Sequence, residues 1–274
     1  MNISQFSHLS FKDIGASRLV PAQTREQYID MALFHYHKTL LASEAALTYL
    51  NKVRGIDNGP VKQFCIGFGD RSLGAMLPDV DSYDGAMIRG VLQRFGFIKQ
   101  NGREKFWGYL TVPIKDENGE LVDIYGRRIA KYLKKNSPAS VTLQASPISV
   151  FNAPCLKRFD SVILCTSPIE ALSLLACGIE NAVGLMGISS VNPVFATQLK
   201  RNGVKHVTLG FANTPQAQRY RVLVSKMLGA QGIAHDHLVL PKGADINNVY
   251  VKAREMMSLC QQLGVTLPME ALCH

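Results

Sequence analysis

Charge is sparse in this chain, and acid is the scarcer sign. Its 274 residues carry 21 Asp and Glu against 30 Lys and Arg, giving a formal net charge of +9 and a pI near 9.3. That balance excludes an acidic, solvating composition and suits a phosphate backbone as partner. Long apolar runs are missing too: none approaches the roughly 20 residues that span a bilayer. The opening MNISQFSHLSFKD has no basic-then-apolar signal pattern, so the expectation is a cytoplasmic protein with no membrane partner. The six cysteines (Cys65, Cys155, Cys165, Cys177, Cys260 and Cys273) form no CxxC pair, which argues against a zinc ribbon. Most sit in apolar runs and are expected to be buried free thiols. Gly184 to Ser190, GLMGISS, follows a strand pattern but lacks both the Walker lysine and the three-glycine dinucleotide phrase. Internal repeats and low-complexity tracts are absent from the sequence.

What is present is organised around residues 160–187, DSVILCTSPIEALSLLACGIENAVGLMG. The period changes from strand-like (161–165) to helical (169–176), with Pro168 in the intervening turn and Gly178 as a stop, and a second strand follows over 181–185. Strand, helix and strand in that order predict a βαβ unit with parallel strands. The turn after the first strand of such a unit lies at the carboxyl edge of the sheet, where α/β proteins bind and react. Here it holds Cys165, Thr166 and Ser167.

This stretch resembles the first motif of a Toprim domain, the catalytic fold of DnaG-type primases, topoisomerases and some nucleases. There a strand ends in Glu-Gly ahead of an Asp-Ala-Leu helix start; here the frame reads Thr166-Ser167, then Glu170-Ala171-Leu172. The family's second motif, a strand ending in Asp-x-Asp, is similar to 207–221, VTLGFANTPQAQRYR, with Ala212 and Thr214 at the two acidic positions. A Pro-x-Gly-x-Asp phrase that closes the family's sheet is matched by Pro241 to Asp245, so Asp245 is kept. The resemblance implies general acid/base and magnesium-ligating roles for positions that hold Thr166, Ala212 and Thr214. Magnesium takes carboxylate oxygens and water, and phosphoryl transfer depends on its charge. Thr and Ala supply none, so a dismantled metal site is expected, with no cofactor and no catalytic residue.

Upstream, the helical pattern of 25–53 breaks near Ala42-Ser43, and Thr24 with Gln27 has capping-box spacing. YLNKVRGI (49–56) followed by FCIGFGDRSL (64–73) resembles the start of a primase catalytic core, where a Tyr-Leu-x-x-Arg-Gly-Ile phrase leads into a Phe-x-Ile-Gly strand. A helix over 84–95, a turn at Asn101-Gly102 and a β-hairpin over 106–129, turning at Glu117-Asn118-Gly119, come next. The hairpin resembles the one that ends in a Gly-x-Arg phrase and handles nucleotide and template phosphates in primases. It implies nucleic-acid contact through Arg127, Arg128, Lys131, Lys134 and Lys135, five cations beside Gly126. Tyr109 stands where the family often has a further basic residue. The family's zinc-binding module has no counterpart in the Cys and His spacing.

Downstream, residues 136–160 read as a link, with 146–153 as a docking strand. Helices over 193–202 and 216–229, strands over 204–211 and 233–240, and an amphipathic helix from 249 onward complete the chain. The expected organisation is an arm (1–24), an α+β primase-core-like subdomain (25–145), a degenerate Toprim domain (146–250) and a C-terminal helix and tail (251–274). The fold class is therefore α/β, a parallel sheet flanked by helices and preceded by the α+β subdomain. Three functions follow from the resemblance. The first is an inactive primase-like subunit of a replication, mobile-element or defence assembly, binding DNA or RNA and a protein partner. The second is an active magnesium-dependent primase or nuclease rebuilt on Glu170 and Asp245, and the third is a protein-only adaptor. Cys165 lacks a predictable histidine partner for covalent catalysis. His35 with His37 and His235 with His237 have period-two spacing but no third zinc ligand.

Overall fold

Alternation of apolar residues along Ser161–Cys165 buries Val162 and Leu164 together, and this strand becomes the centre of a five-stranded sheet. The computed structural model describes residues 25–130, 137–143 and 150–263. These divide into two compact units: residues 25–48, 61–113 and 123–145 in one, and 49–60, 114–122 and 146–263 in the other.

The first unit opens with helix α1 (Arg25–Ala42). Ser43 then ends α1 and starts α2 (Glu44–Thr48), its hydroxyl accepting from Ala46 N at 3.3 Å. The expected break near Ala42-Ser43 is thus present; Thr24 lies outside the described residues. Strands β1 (Gly67–Phe68), β2 (Tyr109–Lys115), β3 (Leu121–Arg128) and β4 (Ser140–Thr142) form a sheet in that order. The short strand expected within 64–73 is present as Gly67–Phe68, and Cys65 (φ 50°) and Arg71 (φ 81°) adopt left-handed backbone on either side. Past it the chain forms a short helix, α4 (Leu73–Met76), and α5 (Tyr83–Phe95) follows; α3 (Asn58–Gln63) precedes the strand, its residues 58–60 assigned to the second unit and 61–63 to the first. Ser82 caps α5 and Gly96 closes it in left-handed conformation. Tyr36, Phe97 and Phe106 make the core, with ring centroids 6.1 to 6.4 Å apart and all three fully buried. Asp123, also fully buried, accepts from the backbone of Ile124 and Leu143 at 2.7 and 2.8 Å.

The second unit begins with a π-helical turn (Tyr49–Val53) and the first residues of α3, and it includes the hairpin tip, where Glu117 accepts from Gln198 Nε2 at 3.0 Å and from Arg201. Its sheet runs β5 (Val150–Phe151), β7 (Ala182–Leu185), β6 (Ser161–Cys165), β8 (His206–Gly210) and β9 (Ala234–His237). Only β5 pairs antiparallel; β6, β7, β8 and β9 are parallel. Helices α7 (Pro193–Arg201) and α8 (Pro215–Ala230) bury Phe195, Leu199, Val224 and Leu228 against Val162, Leu164, Val207 and Leu209. Helices α6 (Pro168–Ala176) and α9 (Ile246–Leu263) pack together, and Ile246 approaches Gly210, whose strand parity is opposite to that of Val207 and Leu209. The result is the expected α/β architecture, a parallel sheet flanked by helices. Asn247 ties this layer together, donating to Ser173 Oγ and Arg54 O and accepting from Arg54 Nη1, each at 2.9 Å.

Phe106 is the ring shared by two of the aromatic contacts in the first unit. Phe106→Ala should cost that unit about 3–5 kcal/mol, read as a lower urea midpoint at unchanged slope; a shift under about 1 kcal/mol would show that this aromatic triad is not its core.

Candidate functional site

The edge of the parallel sheet is set by register. Cys165 pairs with Gly184 on β7 and with Gly210 on β8, so the three strands end level. The chain leaves β6 toward β7 and resumes on its other side with β8, which makes β6 the point where strand order reverses. Three helices that start at this edge carry the same signal: Ser167-Pro168, Asn192-Pro193 and Thr214-Pro215, the first residue capping and the proline entering without an N–H to lose. Gly184 allows α6 to begin here, since a Cβ would stand 2.8 Å from Ser167 O.

Thr166, Ala212 and Thr214 all lie at this edge. Asn213 binds the loop that carries Asp245: its N–H donates to Ala244 O at 3.0 Å, its Nδ2 to Leu240 O at 2.8 Å, and its carbonyl accepts from Gly243. Glu170 is 5% exposed, accepting from Thr166 N at 3.2 Å, Ser167 Oγ at 3.1 Å and the Thr166 hydroxyl, while Ser167 Oγ accepts from Glu170 N at 3.4 Å. That is a capping box, S-x-x-E, extended by one residue. Asp245 caps α9 in the same way, accepting from Asn248 N at 2.7 Å while Asn248 Oδ1 accepts from Asp245 N. Both carboxylates are thus engaged as helix caps. Burial pushes the Glu170 carboxyl up to about 7, helped by the Asp245 charge and opposed by the donors from Thr166 and Ser167. A dication needs ionised, unshared oxygens; one carboxyl with three protein donors and a second committed to a helix start do not fit magnesium.

Burial sets the state of two of the described thiols. Cys165 is fully buried and its pKa is driven well above the thiol range, and that of Cys155 is raised to about 12. Cys177, by contrast, is exposed at the carboxyl end of α6. His35 and His37 lie on a helix, where residues two apart diverge; they bond Ser72 Oγ and Ile66 O, each at 2.8 Å. Among the described residues no group of three His, Cys, Asp or Glu is placed to hold a metal.

In the first unit the cations divide. Arg127 and Arg128 are successive strand residues and face opposite sides of β3. Lys131, Lys134 and Lys135 lie outside the described residues. Arg128 stacks 4.1 Å over the Tyr109 ring, donating to Tyr109 Oη at 3.1 Å and Trp107 O at 3.2 Å. It lines a cavity of about 450 Å³ with Arg71, Lys99, Arg103, Glu104 and Trp107. The Arg71 guanidinium sits 3.9 Å from the Trp107 ring centre. Sequence reading picked out Arg128 and Tyr109 but missed Arg71, Lys99, Arg103 and Trp107; a lone tryptophan within reach of Arg103 and Lys105 in sequence was the available signal.

A mixed α/β core of this arrangement is the fold of primase catalytic cores. Residues 34–146 match the family model "DNA primase catalytic core, N-terminal domain". The primase of Aquifex aeolicus, in its zinc-binding and RNA polymerase domains, superposes with a TM-score of 0.70 at 20% identity over 92% of this chain and 64% of that one. This chain therefore spans less than two thirds of that structure. The DnaG primase catalytic domain bound to single-stranded DNA gives 0.69 at 17% identity, covering 87% of this chain and 78% of that one. The RNA polymerase domain of the Mycobacterium tuberculosis primase, in complex with a double-stranded DNA with a 6-nucleotide overhang, gives 0.67 at 18%, covering 86% and 80%. No curated protein matches the chain in sequence. At these identities the likeness establishes the fold.

The Glu170 environment gives a pH test. The folded pKa of about 7 exceeds the ordinary 4.5, so the folded chain holds this proton more tightly. The group's stabilising contribution is complete below about pH 4.5 and is lost as pH rises through 7, about 3 kcal/mol in all. Thermal melts from pH 4.5 to 8 should fall more steeply for the wild type than for Glu170→Gln; parallel curves would refute a buried, proton-retaining Glu170.

Proposed function

We propose that this chain is a catalytically inactive, Toprim-type primase-like protein that acts by binding nucleic acid, as a subunit of a larger assembly. The observation that carries this reading is the contrast between its two sites. At the sheet edge Thr166, Ala212 and Thr214 offer no carboxylate, and Glu170 and Asp245 serve helix starts. In the first unit Arg71, Lys99, Arg103 and Arg128 gather round one cavity. Selection that keeps a fold and its cationic surface while losing metal ligands acts on binding rather than turnover. Two of the matched primase structures hold DNA, which supports a nucleic-acid ligand for this surface.

A second reading, a magnesium-dependent primase or nuclease rebuilt on Glu170 and Asp245, draws on one observation: Asp245 is near enough for its charge to raise Glu170. Calorimetry with magnesium and manganese, together with primer-synthesis and nuclease assays, separates the two. No heat of binding and no turnover are expected; metal-dependent turnover abolished by Glu170→Ala would establish the second reading.

Binding itself is tested by the anisotropy of a labelled oligonucleotide across salt concentrations. Three or four phosphate contacts predict a log–log slope of about −2 to −3 for a single strand, and Arg128→Ala should lower it by about 0.7 while weakening affinity. A flat salt response would sink the nucleic-acid reading and leave a protein-only adaptor.

A further inference from the structure

We infer that the exposed edge strand β9 carries half of a zinc site, the imidazoles of His235 and His237, and that a second copy of this chain supplies the other half by pairing its own β9 antiparallel to the first. This site is independent of the nucleic-acid reading and concerns another surface.

Strand β9 ends the five-stranded sheet, and every residue of Ala234–His237 is exposed. Among the described residues nothing pairs with its outer edge. The even-numbered N–H groups point inward: Ala234 N donates to Lys205 O at 2.9 Å and Leu238 N to Leu209 O at 3.0 Å. By alternation, the backbone N–H and C=O groups of His235 and His237 point outward. His235 lies in register with Val207 and His237 with Leu209, both core residues, so the two imidazoles stand on one face of the sheet.

Imidazole nitrogen suits zinc, and a closed zinc site takes four ligands in a tetrahedron. His235 is prepared as one of them. Its Nδ1 bonds Ile233 O at 3.3 Å, and because a carbonyl only accepts, the hydrogen is on Nδ1 and the Nε2 lone pair is left for a metal. One chain provides two imidazoles, and a twofold axis provides four. With that axis at Asp236, His235 of one copy stands opposite His237 of the other, and their outward backbone groups exchange hydrogen bonds as an antiparallel pair requires. All four rings then share one face, rooted about 5 Å apart across the strands and about 7 Å apart along them, around a single point. Asp236 points to the opposite face, the side where His206 Nε2 lies 3.5 Å from its Oδ2, and there it meets its counterpart. Like charges placed opposite each other repel. So short a backbone pairing also falls below the roughly 1,000 Å² of a stable interface, so the metal is what holds the two copies together.

Tag-free protein is sedimented with zinc chloride and with EDTA, and zinc is titrated by calorimetry. A dimer with zinc, a monomer with EDTA and one zinc for two chains are expected. His235→Gln and His237→Gln should each weaken zinc binding about 10-fold or more and leave a monomer, whereas His206→Gln, on the other face, should do neither. Cobalt in place of zinc should give wild type the visible absorption of a tetrahedral centre, and both of the first two variants should lose it. The wild-type stoichiometry and cobalt spectrum decide the matter even where a variant fails to fold. No zinc binding, one zinc per chain without association, or a dimer that persists in EDTA would overturn the shared site. Zinc-driven association that survives both substitutions would overturn it as well.

Discussion

The pairing of Cys165 with Gly184 on one side and Gly210 on the other is the constraint from which the second unit's edge follows. Because the strands end level, every turn that leaves them opens at one height, with two residues before α6, seven before α7 and four before α8. A capping hydroxyl or amide followed by proline starts each of these three helices. The first of these turns comes with Glu170, which completes a capping box for the helix that leaves β6. A carboxylate at that position is needed by the helix whether or not it is needed by a metal.

The same reasoning explains what the polar groups at this edge do. Thr214 caps α8, accepting from Ala217 N at 3.2 Å, and the Thr166 hydroxyl donates to Glu170. Glu170 and Asp245 each satisfy backbone N–H groups at a helix start, where losing the carboxylate leaves orphaned donors. Fold maintenance alone therefore preserves the two carboxylates that a catalytic reading would single out.

Much of this second unit was legible because its signals are local. The change of period across 161–185, the Ser167-Pro168 start and the Gly178 stop each lie within a few residues of what they determine, and the helices over 193–202 and 216–229 differ from the observed ones by a residue. Strand β9 is shorter than the pattern over 233–240, since Ile233 N bonds Leu228 O to close α8 and Leu240 O is taken by the Asn213 side chain. The cavity of the first unit was not legible. Its lining comes from residues 71–74, 98–107 and 128, and the conformation that delivers Arg71 depends on a left-handed backbone with no glycine to announce it.

That difference bears on how each site depends on the fold. The sheet edge of the second unit rests on residues a few positions apart, such as Thr166, Ser167 and Glu170. A cavity assembled from distant segments is lost only if the segments move, and these are tied to the aromatic core through Phe106, the neighbour of Trp107. Tyr109 illustrates the consequence. An aromatic ring there gives Arg128 a face to stack on and a hydroxyl to bond, so the cation next to it is fixed in place rather than free on the surface. The first unit in this way carries a cationic and aromatic surface anchored on its own aromatic core.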